Sequence, residues 1–237
     1  MSDRKRVGAI IPAAGKGKRL SGGQSKQLLE LDGKPILLHT VEHFQSSSEI
    51  DLIVVAADSE NIEKIKNLIQ LHSLSKVKHV VLGGAERQDS VFEGLRVLQS
   101  EEVDLVIVHD AVRPFVTQKQ IHSVLRAASE VGAAIVAVPP KDTIKISQGN
   151  SYVQTTLPRE NLWIVQTPQA FQFPLLYNSH EKAHLDGYRG TDDASIVEWF
   201  GGKVQIVEGS YDNIKITTLA DLELAQLISR RLLIKNT

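Results

Sequence analysis

Val7-Gly8-Ala9-Ile10-Ile11-Pro12-Ala13-Ala14-Gly15-Lys16-Gly17-Lys18-Arg19-Leu20 starts as an apolar run and breaks into small and basic residues. The run from Val7 to Ile11 is continuous rather than alternating, as expected of a strand buried on both faces. Runs of the same kind recur at Leu52 to Ala57, Val77 to Leu82, Leu105 to Val108 and Ala134 to Val138. Between them apolar residues fall at helical spacing: Ile36 to Phe44, then Ile62, Ile65 and Ile69, then Val91, Leu95 and Leu98, then Ile121, Val124, Leu125 and Ala128. Thr117-Gln118-Lys119-Gln120 reads as a capping box, and Thr218-Leu219-Ala220-Asp221 has the same form before the last helix. Strand and helix alternate, so the fold class is α/β: a mostly parallel, doubly wound (Rossmann-like) sheet with helices on both faces. Ligands of such sheets sit beyond the carboxyl ends of the strands, so the loops there are where function is sought.

One stretch breaks the alternation. TIKISQGNSYVQTTLPRENLWIV, from Thr143 to Val165, places two β-branched segments around the turn-prone Ser147-Gln148-Gly149-Asn150, which predicts a hairpin. A two-stranded ribbon has little core of its own, so it lies along a sheet edge or packs against another chain, and the second is preferred. The organisation expected is one domain over 1–237 with 139–165 as an inserted, protruding β-arm used for dimerisation.

Composition narrows the classes. A chain of 237 residues, 42% hydrophobic, can bury one sizeable core. Its net charge is -1, which gives nucleic-acid binding no support. The absence of cysteine excludes disulfides, thiolate nucleophiles and Cys-ligated zinc, and fits a reducing compartment. The first apolar run is too short for a membrane span or a complete signal segment, so a cytoplasmic protein without membrane attachment is expected. Of the eight histidines, His39 and His43 lie four apart on an apolar helix and read as packing or surface rather than a zinc site.

The loop after the first strand carries the chemistry. Small residues at Pro12, Ala13, Ala14 and Gly15 let backbone N–H groups approach an anion, and Lys16, Lys18, Arg19 and Lys26 follow. Gly15 and Gly17 without a third glycine at 20 fail the dinucleotide fingerprint, and no GK[ST] follows at P-loop spacing. What remains is a glycine turn with cations suited to a triphosphate. On glycine and lysine content alone, a solvated basic loop fits equally well. Other strand ends repeat the design: Gly83-Gly84 before a polar helix start containing Ser90, His109-Asp110-Ala111-Val112-Arg113, and Lys215 between apolar neighbours. Taken singly, Asp110 with Arg113 reads as readily as a structural ion pair, and Lys215 as a snorkelling lysine. Asp192-Asp193 reads as the start of a helix rather than a metal site.

PAAGKGKRL (12–20) with QSKQ (24–27), GGAERQDSV (83–91), VHDAVRP (108–114), KDTIK (141–145), LPRENLW (157–163), QTPQAF (166–171), GTDDAS (190–195) and DNIKIT (212–217) together resemble the 2-C-methyl-D-erythritol 4-phosphate cytidylyltransferases of non-mevalonate isoprenoid biosynthesis. The resemblance spans nearly the whole chain. It implies transfer of CMP from CTP to 2-C-methyl-D-erythritol 4-phosphate, with Mg²⁺ and release of pyrophosphate, by a homodimer embracing through its β-arms. It further implies that Pro12, Ala13, Ala14 and Gly15 line the CTP loop, with Gly83, Ser90, Asp110 and Ala111 around base and ribose. Arg19 and Lys26 match transition-state cations, and Lys215 matches the lysine that positions the acceptor phosphate. Asp110, Arg113 and Thr143 match contacts to the rest of the acceptor. Arg159 and Thr167 match substrate-binding positions at the arm, the arginine serving the neighbouring subunit's site. Val112 stands where many members have a second alanine, as also in pentitol-phosphate cytidylyltransferases. That keeps ribitol 5-phosphate open as an alternative acceptor, although PAAG and TDDAS resemble the methylerythritol enzymes. A non-catalytic nucleotide-binding protein on the same fold is the other alternative. Mg²⁺ is expected on the triphosphate oxygens, with Asp110 as the one possible carboxylate helper.

Overall fold

The structure is a computed structural model that describes residues 4–15, 25–149 and 151–235. Strand β1 (Val7–Ala13) is followed by a 3-10 turn (Lys26–Leu28), the short pair β2 (Glu30–Leu31) and β3 (Lys34–Pro35), and helix α1 (Ile36–Ser46). Next come β4 (Leu52–Ala57), α2 (Ile62–Leu71), β5 (Val77–Leu82), α3 (Arg87–Ser100), β6 (Leu105–Val108), α4 (Gln118–Val131) and β7 (Ala133–Val138). The ribbon β8 (Lys145–Ser147) and β9 (Val153–Thr156) leads to a 3-10 turn (Arg159–Asn161), β10 (Ile164–Gln172), α5 (Phe173–Leu185), α6 (Asp193–Trp199), β11 (Gln205–Glu208) and α7 (Leu219–Lys235).

The central sheet has seven strands in the order β11-β7-β10-β6-β1-β4-β5. All neighbours run parallel except β10, which is antiparallel to both β6 and β7. The continuous apolar runs are continuous because both faces are covered. Ile11 packs under α1, α2 and α4, whereas Ile10 packs under α3, α5 and α6. Both isoleucines are 0% exposed, and burial of each contributes roughly 1.5–3 kcal/mol. From β1 the chain winds to β4 and β5, then returns through α3 to β6 on the other side of β1. That reversal opens a crevice at the carboxyl ends of β1 and β6.

Both capping boxes form. Thr117 accepts from the Gln120 N–H while Gln120 reaches back to the Thr117 N–H, and Thr218 pairs reciprocally with Asp221 in the same way. Asp192 caps α6, accepting from the Ser195 N–H at 2.9 Å, as its helix-start reading required. His39 and His43 are spent on the Leu31 and Pro114 carbonyls.

Two expectations need correction. Val77 to Leu82 is not buried on both faces: β5 is the sheet's edge strand and is only partly covered, Leu82 being 56% exposed. Lys78 and His79 within the run already break its apolar character. The hairpin is also shorter than Thr143 to Val165. Its paired strands end at Thr156, and Ile164 and Val165 belong to the central sheet, opposite Val138 and Ala137.

Candidate active site

A cavity of about 820 Å³ lies at the crevice. Its walls are the ends of β1, β4, β5 and β6: Pro12 to Gly15 from the first, Asp58 and Ser59 from the second, Gly83 to Ser90 in part from the third, and Asp110 to Val112 from the fourth. Lys26, Gln27 and Lys215 complete the lining. Gln27 is buried and donates to the Ala13 carbonyl at 2.5 Å, which fastens the 3-10 turn to the end of β1. Lys26 is thereby brought beside Gly15, its Cε 4.0 Å from where a Cβ on that glycine would stand.

Gly83 is a glycine for want of space. A Cβ there would lie 2.6 Å from Ser90 Oγ and 2.7 Å from Ala14 Cβ, so Ala14, Gly83 and Ser90 form one tight wall joining two strand ends. Ser90 itself donates to the Glu86 carbonyl in the first turn of α3.

Asp110 is the electrostatic centre. Arg87 Nε donates to its Oδ1 at 2.9 Å, Lys215 Nζ lies 2.9 Å from Oδ2, and Arg113 Nε reaches Oδ2 at 3.4 Å. Burial alone would raise the Asp110 pKa, but Arg87, Lys215 and Arg113 outweigh it and hold the group well below the usual carboxylate range. Arg87 also forms an ion pair with the buried Asp193, Nη1 to Oδ2 at 2.7 Å, and Asp193 in turn meets His180 Nε2 at 3.2 Å. Burial works against charge on Arg87, yet Asp193 and Asp110 prevail and raise its pKa above the ordinary arginine value. For Asp193 burial likewise opposes ionisation, and Arg87 and His180 prevail, lowering its pKa. Three cations against two carboxylates leave this bonded cluster one positive charge in excess.

Beneath Asp110 the support is neutral. His109 Nε2 lies 3.0 Å from the Arg113 carbonyl, which only accepts, so Nε2 carries the proton and Nδ1 accepts from the Thr167 hydroxyl at 3.0 Å. The Thr167 oxygen then accepts the Asp110 N–H, also at 3.0 Å. Burial pushes the His109 pKa down to about 3, so the imidazole is neutral in the folded chain.

The expected residues divide accordingly. Pro12, Ala13, Ala14, Gly15, Lys26, Gly83, Ser90, Asp110, Ala111 and Lys215 share the cavity. Arg113 stands behind it, bonded to Asp110 and to the Asn213 carbonyl at 2.8 Å. Thr167 is not at the arm: it is a buried residue of β10, its hydroxyl engaged by His109 and Asp110. Lys215 is not on a strand but in the loop before α7. Thr143 and Arg159 are exposed on the arm, where Arg159 donates to the Lys141 carbonyl at 2.7 Å. Arg19 lies outside the described residues. Arg87, which lines the cavity and holds Asp110, had no place among the expected residues. The signal for it was the pair of acids, Asp110 and Asp193, that a buried site obliges to find a cation.

The 2-C-methyl-D-erythritol 4-phosphate cytidylyltransferase family model matches residues 7–231. The chain belongs to this family. Proteins of that name from Halalkalibacterium halodurans and Bacillus velezensis are 48% and 46% identical to it, covering 92% and 93% of this chain and 95% and 94% of theirs. The crystal structure of 4-diphosphocytidyl-2C-methyl-D-erythritol synthase from Anaerococcus prevotii is similar at a TM-score of 0.85 and 34% identity, covering 96% of this chain and 97% of that one. No helix among the described residues is long and apolar enough to cross a membrane.

Proposed function

We propose that this chain transfers CMP from CTP to 2-C-methyl-D-erythritol 4-phosphate, releasing pyrophosphate, in isoprenoid precursor biosynthesis. The observation that carries the reading is the cavity, which brings Lys26 beside the Gly15 loop and Lys215 onto Asp110 at the opposite strand end. The nucleotide lies along Pro12 to Gly15 with its base against the Ala14, Gly83 and Ser90 wall, and the acceptor phosphate approaches Lys215. An oxygen of that phosphate attacks the α-phosphorus of CTP, a P–O bond forms, and the bond to the pyrophosphate oxygen breaks. A phosphate monoester dianion is already nucleophilic near neutral pH, so no general base is required. The obstacle is anionic charge, which the chain meets with cations: Lys26 at the triphosphate, joined by Arg19 if the family resemblance holds there, and Lys215 at the acceptor.

Mg²⁺, when bound, neutralises triphosphate oxygens and keeps most of its waters, needing few protein ligands. Asp110, the expected helper, has both oxygens taken by cations. Asp58 is the better candidate, since it lines the cavity and its Oδ2 is buried with no hydrogen-bond partner among the described residues.

The arm reads as a dimer clasp. Ile146, Tyr152 and Val153 are 40%, 74% and 61% exposed on a ribbon that cannot cover them itself, and Trp163, between the ribbon and β10, is 41% exposed. A second copy covers them, and Arg159 serves the partner's site. On this reading 1–237 is one domain with the arm inserted, acting in the cytoplasm. Val112, the residue that kept ribitol 5-phosphate open, lines the cavity and is 4% exposed, clustering with Phe115 and Ile216.

The test is pyrophosphate release by purified protein with CTP, Mg²⁺ and either acceptor. Turnover with the methylerythritol phosphate is expected; a marked preference for ribitol 5-phosphate would overturn the acceptor, and no release with either would favour a binding protein.

A further inference from the structure

We infer that Arg87 is a positioning residue for the acceptor half of the reaction: it orients the Asp110 carboxylate, and through it the Lys215 ammonium, by spanning Asp110 and Asp193. The inference rests on the reading of the cavity given above.

Arg87 is the first residue of α3, and its guanidinium faces two carboxylates from different elements. Nε binds Asp110, in the loop after β6, and Nη1 pairs with Asp193, the first residue of α6. The planar fork fixes both contacts at once, which a lysine's single ammonium does not. With Oδ1 of Asp110 held by Arg87, Oδ2 is turned to Lys215 and Arg113. The direction of Lys215 therefore depends on a guanidinium that itself makes no contact with it among those described.

The far end of the span is rigid. Asp193 is 0% exposed and is met on its other oxygen by His180 of α5, itself 1% exposed. The residues beside Arg87 are committed to the same support. Gln88 donates to the Tyr188 carbonyl at 3.0 Å and accepts the Gly190 N–H at 3.1 Å, and Asp89 pairs with Arg189. The run 87–89 thus ties the start of α3 to the segment 188–193, and Arg87 alone continues the tie into the cavity. Arg87 Nη2 is buried without a hydrogen-bond partner among the described residues, so what the side chain contributes is the span rather than a saturated set of bonds.

The experiment compares Arg87→Lys, Arg87→Met and Asp193→Asn with the unaltered full chain. Steady-state pyrophosphate release gives KM for each substrate, and thermal melts give the folded fraction. Calorimetry reads acceptor binding in the presence of the α,β-methylene analogue of CTP, on which transfer cannot occur. Both Arg87 variants are expected to weaken acceptor binding, as KM and as Kd, by about tenfold while the KM for CTP stays within about twofold. Arg87→Lys restores the charge and yet does not restore the acceptor, which separates orientation from net charge. Asp193→Asn leaves the bond to Asp110 but removes its anchor, and falls between. Unchanged acceptor KM and Kd in both Arg87 variants, whatever happens to the melting temperature, would make the residue purely structural and overturn the inference. An equal loss for CTP would overturn it too. If the unaltered chain binds acceptor but releases no pyrophosphate, the reaction is misread, and the binding arm still decides on Arg87. If it binds no acceptor, both readings fall.

Discussion

His109 offers a test in which the structure sets the size of the effect. The residue is 0% exposed, rests against the Phe44 ring at 5.1 Å, and spends its one proton on the Arg113 carbonyl while accepting from Thr167. A second proton would have to displace that hydroxyl and enter without water, and burial accordingly holds the pKa near 3. The unfolded chain has no such penalty and takes up the proton near pH 6.5. The folded value is therefore the lower one, and stability is lost as pH falls through the unfolded value. Between pH 7 and pH 5 the unfolded state gains most of a proton that the folded state refuses, which costs about 2 kcal/mol. Further acid steepens the loss to about 1.4 kcal/mol per pH unit until the folded pKa is reached. Asp110 and Asp193, whose pKa values are lowered, add their own losses only below the window, where unfolded carboxylates begin to protonate. His43, lowered chiefly by burial, acts in the same direction as His109, so the comparison must be with a variant.

Urea unfolding at pH 7, 6 and 5 supplies the measurement, with His109→Gln as the variant that cannot titrate. The variant should be less stable at pH 7, because the glutamine amide cannot reproduce both contacts. Its decline toward pH 5 should be shallower than that of the unaltered chain by about 2 kcal/mol. Equal acid slopes in the two proteins, or an imidazole seen by NMR to titrate between pH 5 and 8 in the folded chain, would refute the reasoning.

Three further outcomes are expected. Lys26→Ala and Lys215→Ala should each lower kcat/KM on the order of a hundred- to a thousandfold, about 3–4 kcal/mol of barrier, in a steady-state assay; a solvated lysine would change little. Gly83→Ala forces a methyl group to within 2.6 Å of Ser90 Oγ and 2.7 Å of Ala14 Cβ, so it should cost about 1–3 kcal/mol in stability and weaken CTP binding by calorimetry more than acceptor binding. Mixed dimers of Arg19→Ala and Arg159→Ala subunits, each inactive alone, should regain part of the activity; verified subunit exchange without recovery would reject a site shared across the dimer.

The fold was legible where burial was two-sided. Ala9, Ile10 and Ile11, or Val54 and Val55, are apolar without a break because the sheet offers no solvent face at its centre, and the continuous pattern follows. The same pattern predicts a covered strand at β5, where Lys78 and His79 lie at an open edge instead. Capping is local, so Thr117 with Gln120 and Asp192 with Ser195 could be read or bounded from a few neighbouring residues. The site was half legible for the same reason. Glycine turns are local and were found; the partners of Asp110 are not. Spacing suggested Arg113, three residues on, whose Nε is the most distant contact at 3.4 Å, whereas Arg87, opening α3, and Lys215, in the loop before α7, reach Asp110 at 2.9 Å. Nothing within the stretch around Arg87 distinguishes it from any arginine at a helix start.

The carboxylate at the centre of so many cations has its own logic. A pocket for two phosphates must present positive charge before either arrives, and Arg87, Arg113 and Lys215 without Asp110 would repel one another across a few ångströms of poorly solvated space. Asp110 offsets that repulsion and, because a carboxylate accepts along fixed directions, also sets where each cation points. Its strongly lowered pKa is the thermodynamic counterpart: the cations that it orders keep it ionised. On the proposed reading, an acceptor phosphate entering beside Lys215 would compete with a carboxylate for an ammonium already in place, exchanging one anion for another instead of collecting a free side chain from solvent. The ordering cost is met during folding, and the charge becomes available at the moment of binding.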